Sequence, residues 1–140
     1  ALENASTYLR FAGSSIPEWE FLGEVARRAD CGILLDVNNV YVSGVNHGFD
    51  PEQYLAAVPA ERVWEIHLAG HTDRGSHLLD THSTHVCDEV WEIYRFASRR
   101  FGAVASLVEW DEDIPDWDTL EAESARARNA QHRALFAGAA

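Results

Sequence analysis

Four short apolar segments each end in a group that can hold a metal ion or move a proton: Glu3 in ALEN, Asp36 in ILLD, His67 in WEIH and Glu109 in LVEW. Residues two apart in a strand share a face. If these segments are strands, Leu34 lies beneath Asp36, Glu65 beneath His67 and Leu107 beneath Glu109, and the polar groups stack at one rim. Carboxylates gathered there repel one another unless a cation neutralises them. A divalent metal does so directly, and a mixed oxygen and nitrogen donor set suits iron, manganese or zinc better than calcium or a thiolate-seeking ion.

The intervening segments add donors. Six of the seven histidines lie between His47 and His85. In DTH, Asp80 and His82 fall on one side of an extended segment and can share an ion. Asp36 and Asn39, spaced D-x-x-N just past a strand, can reach one site, and His47 in NHG is a further candidate in the loop before a short helix. Asn4, Asn38, His47 and His71 are read as groups that orient ligands. His71, His77, His85 and His132 are set aside as direct ligands. The run EWDEDIPDWD reads as a solvated acidic loop with a helix cap, which sets aside Asp111, Glu112, Asp113 and Asp118. Trp19, Trp64 and Trp91 are assigned to the core, while Trp110, beside Glu109, can wall a pocket.

The elements that must position these groups alternate along the chain. Strands are expected at ALEN, Cys31 to Val37, Val63 to Leu68 and Ala105 to Trp110. Helices are expected at Pro17 to Ala29, from Asp50-Pro51 to Val58, at Val86 to Phe101 with Gly102 as its stop, and at Trp117 to Phe136. Such alternation with short connections predicts parallel βα units in a single α/β domain over residues 1–140, either half of an eight-stranded barrel or a small open sheet. In both, the carboxyl ends of the strands build the site.

The formal net charge of -12 argues against nucleic-acid backbones as partners. Cys31 and Cys87 stand far apart, as unpaired thiols of a reducing compartment do. No apolar run approaches the ~20 residues of a membrane span. The chain reads as soluble and cytoplasmic, without a membrane or nucleic-acid partner. It contains no methionine, so a preceding segment is expected.

In order, LENAS, LLDVNNVYVSGVNHGFDP, EIHLAGH, LLDTHSTHV and LVEWDEDIP resemble the successive signatures of multinuclear non-heme iron-dependent oxidases, the family of the methanobactin-biosynthesis oxidase. The resemblance implies a TIM (β/α)8 barrel related to xylose isomerases and endonuclease-IV-like enzymes, of which this chain is the C-terminal half, strands five to eight with their helices. The N-terminal half is absent from the chain. The resemblance also implies two or three irons at the rim, with zinc or manganese as the alternative. Carried over, the ligands are Glu3, Asp36, His67, the pair Asp80 and His82, and Glu109, with Asn39 at a position where the wider superfamily has histidine.

By the same resemblance, the activity is dioxygen-dependent oxidation of cysteine in a ribosomally made precursor peptide, with a partner protein that presents the peptide. A lone half-barrel leaves open sheet edges, so a homo-oligomer or completion by another chain is expected. Two alternatives stand beside this reading. One is a metal-dependent hydrolase or isomerase of the same superfamily; the other is an inactive, metal-poor structural fragment.

Overall fold

A computed structural model describes residues 1–136. Its centre is a parallel sheet of four strands: β1 (Leu2–Glu3), β2 (Ile33–Asp36), β3 (Val63–Leu68) and, last in the chain, β6 (Ala105–Val108), in the spatial order β1-β2-β3-β6. Between the last two runs a small antiparallel ribbon of β4 (Thr72–Asp73) and β5 (Leu78–Leu79). The helices are α1 (Glu18–Ala29), α2 (Val37–His47), α3 (Pro51–Ala57), α4 (Asp88–Phe101) and α5 (Trp117–Phe136). This is the expected parallel α/β arrangement, with β3 at its expected bounds and the other three strands shorter than expected.

Local chemistry accounts for most of these elements. Pro17 precedes α1, Glu18 and Glu20 occupy its first turn and Arg27 and Arg28 its last, all favourable to the helix dipole. Asp50 caps α3 by accepting the Glu52 N–H at 2.9 Å, ahead of Pro51 at the first helical position. Helix α4 buries Val90, Trp91, Ile93, Tyr94 and Ala97 at helical spacing.

The helices cover one face of the sheet. Ile33 and Leu35 of β2 and Ile66 and Leu68 of β3 point into that layer and join Trp91, Tyr94, Tyr54 and Leu55 in one core. Each such fully buried large side chain contributes about 2 to 3 kcal/mol. The opposite face carries Leu34, Glu65, His67 and Leu107, and Leu107 is 43% exposed. The fully buried face supplies the adhesion, and the open face ends in the polar rim.

Three sequence expectations are corrected. Residues Val37–His47 form a helix, not a strand end followed by a loop, so His47 closes α2. The segment VNNVYVSGVNH has poor helix propensity, but Asp36 caps it and most of its residues are buried, so tertiary packing prevails. Trp64 is 60% exposed, outside the core to which it was assigned, with its ring lying against Gly32. The third correction concerns His82, which sits at φ 46, so the DTH segment is not extended there. Among the described residues no helix is long and apolar enough to cross a membrane.

Candidate metal centre

Asp36 answers two needs at once. It is the last residue of β2 and the N-cap of α2, where one carboxylate oxygen accepts the Asn39 N–H at 2.7 Å. Its other oxygen, Oδ2, is buried without a partner. Asn4, just past β1, grips Asp36 from the side: its Nδ2 donates to the Asp36 carbonyl at 3.0 Å and its Oδ1 accepts the Asp36 N–H at 2.9 Å. The Asn39 Nδ2 donates to the Asn4 carbonyl at 3.0 Å, which leaves Asn39 Oδ1 buried and unpaired. Two acceptor oxygens are thus held inside the protein with no donor, an expensive arrangement unless a cation or water meets them.

Parallel pairing brings the other strand ends alongside. Asp36 and His67 are register partners across β2 and β3. Pairing continues past β6, where Glu109 N–H donates to the Leu68 carbonyl at 2.8 Å. His67 Nδ1 then donates to Glu109 Oε2 at 3.1 Å, and Glu65 lies below with an oxygen 3.7 Å from His67 Nε2. Glu3, Asp36, His67 and Glu109 each offer a ligand atom, all within 4.8 Å of one another. The four strand ends do converge.

A second donor set adjoins the first. His82, Glu109 and Asp111 also place ligand atoms within 4.8 Å of one another, so Glu109 is common to both sets. His82 Nδ1 lies 3.3 Å from Glu109 Oε2 and 3.3 Å from Asp111 Oδ2. His82 Nε2 lies 2.7 Å from Asp80 Oδ1 and 3.9 Å from Asp36 Oδ2. Despite these short distances, neither ring nitrogen has hydrogen-bond geometry. Side-chain atoms crowded head-on without aligned protons suit a shared cation. The left-handed backbone at His82 aims the ring there at a cost of about 1 kcal/mol, and strain of this kind gathers at functional sites.

The electrostatics agree. Burial pushes the Asp36 carboxyl up to about 7, opposed by the Asn39 N–H and by His82 and reinforced by Asp80 and Glu3. Partial burial also raises Glu3, with His67 and His82 pulling down and Glu109 and Asp80 pushing up. Burial by itself would lower His82, but Asp80, Asp36 and Glu109 outweigh it and hold the imidazole up to about 9. Carboxyl groups whose proton affinity is raised, beside a histidine held in its charged form, mark a site short of positive charge. A divalent ion supplies that charge and displaces those protons. The residues therefore fit a metal, and the oxygen and nitrogen donors suit iron, manganese and zinc.

Residues 1–132 of the chain match the family described as RiPP precursor modification enzyme MbnB/TglH/ChrH. The chain belongs to this family. It is 60% identical to a UPF0276 protein of Anaeromyxobacter sp. (strain Fw109-5) over 97% of the chain and 48% of that relative. It is 50% identical to one of Acaryochloris marina over 94% of the chain and 49% of the relative. A Caulobacter vibrioides UPF0276 protein is 53% identical over 94% and 48%. The chain spans about half the length of these curated relatives.

Within this MbnB/TglH/ChrH family member the remaining expected residues fall into place unevenly. Asn38 is fully buried and bridges two groups: its Nδ2 donates to Asp80 Oδ1 at 2.8 Å and its Oδ1 accepts from His71 Nδ1 at 2.9 Å. Asn4 thus holds Asp36 in place, and Asn38, itself bonded to His71, holds Asp80. His47 does not join either donor set; it lies at a groove of about 770 Å³ walled by Leu9, Phe11, Trp19, Phe21 and Phe49. Asp111, set aside as a loop acid, is brought into the site because its N–H donates to the His82 carbonyl at 2.8 Å. Nothing in its local sequence marked Asp111, because that contact joins segments far apart in the chain.

Proposed function

We propose that this chain is the C-terminal half of a (β/α)8 barrel whose rim holds a multinuclear iron centre. In the complete protein that centre oxidises cysteine of a ribosomally made precursor peptide with dioxygen. The observation that carries this reading is the pair of donor sets with Glu109 in common, residues that would hold more than one metal ion. The parallel order of the four strands and the family's precursor-modification role support it. So does the chain's coverage of about half of its relatives.

On this reading Glu3, Asp36, His67 and Glu109 hold one metal, with Asn39 Oδ1 at hand. His82, Asp111 and Glu109 hold another, with Asp80 against His82. The iron, when bound, supplies the redox chemistry that protein side chains lack. The chain's own residues fix the donors: Asn4 locks Asp36, Asn38 holds Asp80, and His71 buttresses Asn38. Asp111, with a side chain 61% exposed, stands at the open side where a peptide can approach. A peptide-presenting partner protein and a second half that pairs with the edges of β1 and β6 complete the proposal.

Iron, zinc and manganese content after anaerobic purification, measured by elemental mass spectrometry beside molar mass in solution, tests it. More than one iron per assembled site, with dioxygen consumption that depends on peptide, is the expected result. Zinc or manganese without dioxygen consumption would favour a hydrolase or isomerase of the same barrel type, and no bound metal would favour a structural fragment.

A further inference from the structure

A polar cluster outside the ligand sets ties the last helix to the rim. On α5, Glu123, Ala127 and Ala130 follow helical spacing and are all buried, so a carboxylate occupies a face otherwise lined with alanine. Glu123 Oε1 accepts a 2.8 Å hydrogen bond from His85 Nδ1, and Oε2 is buried without a partner. The His85 ring meets Trp110 edge-on, with ring centres 5.2 Å apart and planes at 81°. Trp110 stands between Glu109 and Asp111, both members of the second donor set.

Two chain segments are therefore joined at two points. At the donor groups, the Asp111 N–H donates to the His82 carbonyl. Farther out, His85 braces Trp110, and this outer joint is anchored on α5 by Glu123. The His85 side chain is 67% exposed, so without its carboxylate partner little else keeps the ring against the indole.

We propose that Glu123 is a positioning residue of the metal centre: through His85 and Trp110 it keeps Glu109 and Asp111 aligned with His82. The proposal rests on the metal-centre reading above. Glu123→Gln preserves an acceptor for His85 Nδ1, whereas Glu123→Ala removes it. His85→Ala breaks the same link from its exposed side.

The test is a Co(II) titration of the 140-residue chain and of these variants, with d–d absorption reporting coordination, together with backbone amide resonances of the metal-free proteins. The expected result is binding about 10-fold weaker and an altered spectrum in Glu123→Ala and in His85→Ala. The double variant should be no weaker than either single one, and Glu123→Gln should match the parent in Co(II) affinity and spectrum, even where its buried amide lowers the melting temperature. In the metal-free chain the Glu109 and Asp111 amides should shift with Ala and not with Gln. Unmoved amides and unchanged affinity overturn the proposal, as does a Gln variant impaired as much as Ala. Failure of the parent chain to bind Co(II) would instead remove the metal-centre reading, and the amide shifts would then decide the link alone. If Glu123→Ala does not fold, His85→Ala against Glu123→Gln decides it.

Discussion

Asp36→Asn separates the structural duty of Asp36 from its ligand duty. The asparagine retains an oxygen to accept the Asn39 N–H, so the cap of α2 survives, but replaces the unpartnered Oδ2 with an amide that cannot neutralise a cation. In the folded, metal-free chain the Asp36 carboxyl is pushed from its ordinary 3.8 up to about 7. Each tenfold change in proton affinity is worth about 1.4 kcal/mol, so ionising this buried group removes roughly 4 kcal/mol of stability. For the sign, the folded state holds the proton more tightly than the unfolded one, so stability is lost as pH rises from about 4 through about 7. His82, held up to about 9, acts in the same sense at higher pH: its contribution is present below its ordinary 6.5 and disappears as pH rises through about 9.

The asparagine amide, lacking an acceptor there, costs about 1 to 3 kcal/mol at every pH. Chelator-treated Asp36→Asn should therefore be less stable than the parent at pH near 5 and equal or more stable at pH near 8. Adding Mn(II) at the higher pH should reverse that order, because only the parent gains binding free energy. Urea unfolding across the range with and without metal measures both. A parent whose metal-free stability does not fall between these pH values, or a variant that follows the same slope, would refute the reasoning.

Other outcomes follow from single contacts. Asn4→Ala should lower stability by about 2 to 3 kcal/mol in chemical unfolding, because it strands the buried N–H and carbonyl of Asp36. Gly70→Ala would put a methyl group 2.1 Å from the Thr84 carbonyl oxygen; the loop bearing Asp80 and His82 must shift, with a loss of about 1 to 3 kcal/mol in unfolding and weaker metal uptake. His82→Gly should abolish occupancy of the second donor set in metal analysis and lower the metal-free melting point near neutral pH, because the lost imidazole, held by Asp80, Asp36 and Glu109, outweighs the relief of about 1 kcal/mol in its left-handed backbone. Asp111→Asn should weaken that set by about 10-fold or more in titration and leave the melting temperature unchanged, since its side chain is largely exposed.

The strand ends and their chemistry were legible in the sequence because they depend on short-range rules. Period-two alternation and apolar runs placed Glu3, Asp36, His67 and Glu109 at the carboxyl ends of successive strands, and the parallel register of Asp36 with His67 bears this out. Caps and helix spacing marked α1, α3, α4 and α5 in the same local way. Helix α2 was hidden because valine and asparagine disfavour isolated helices; burial against the core, together with one buried cap, decides it. Asp111 looked like a solvated acid, and Glu123 was not singled out at all. Their roles depend on which loops meet, through the Asp111 N–H to the His82 carbonyl and through His85 against Trp110. Such contacts join residues tens of positions apart, and no local pattern encodes them. Residue types thus determined that the rim carries groups able to hold a cation, and tertiary packing decided which of those groups stand together.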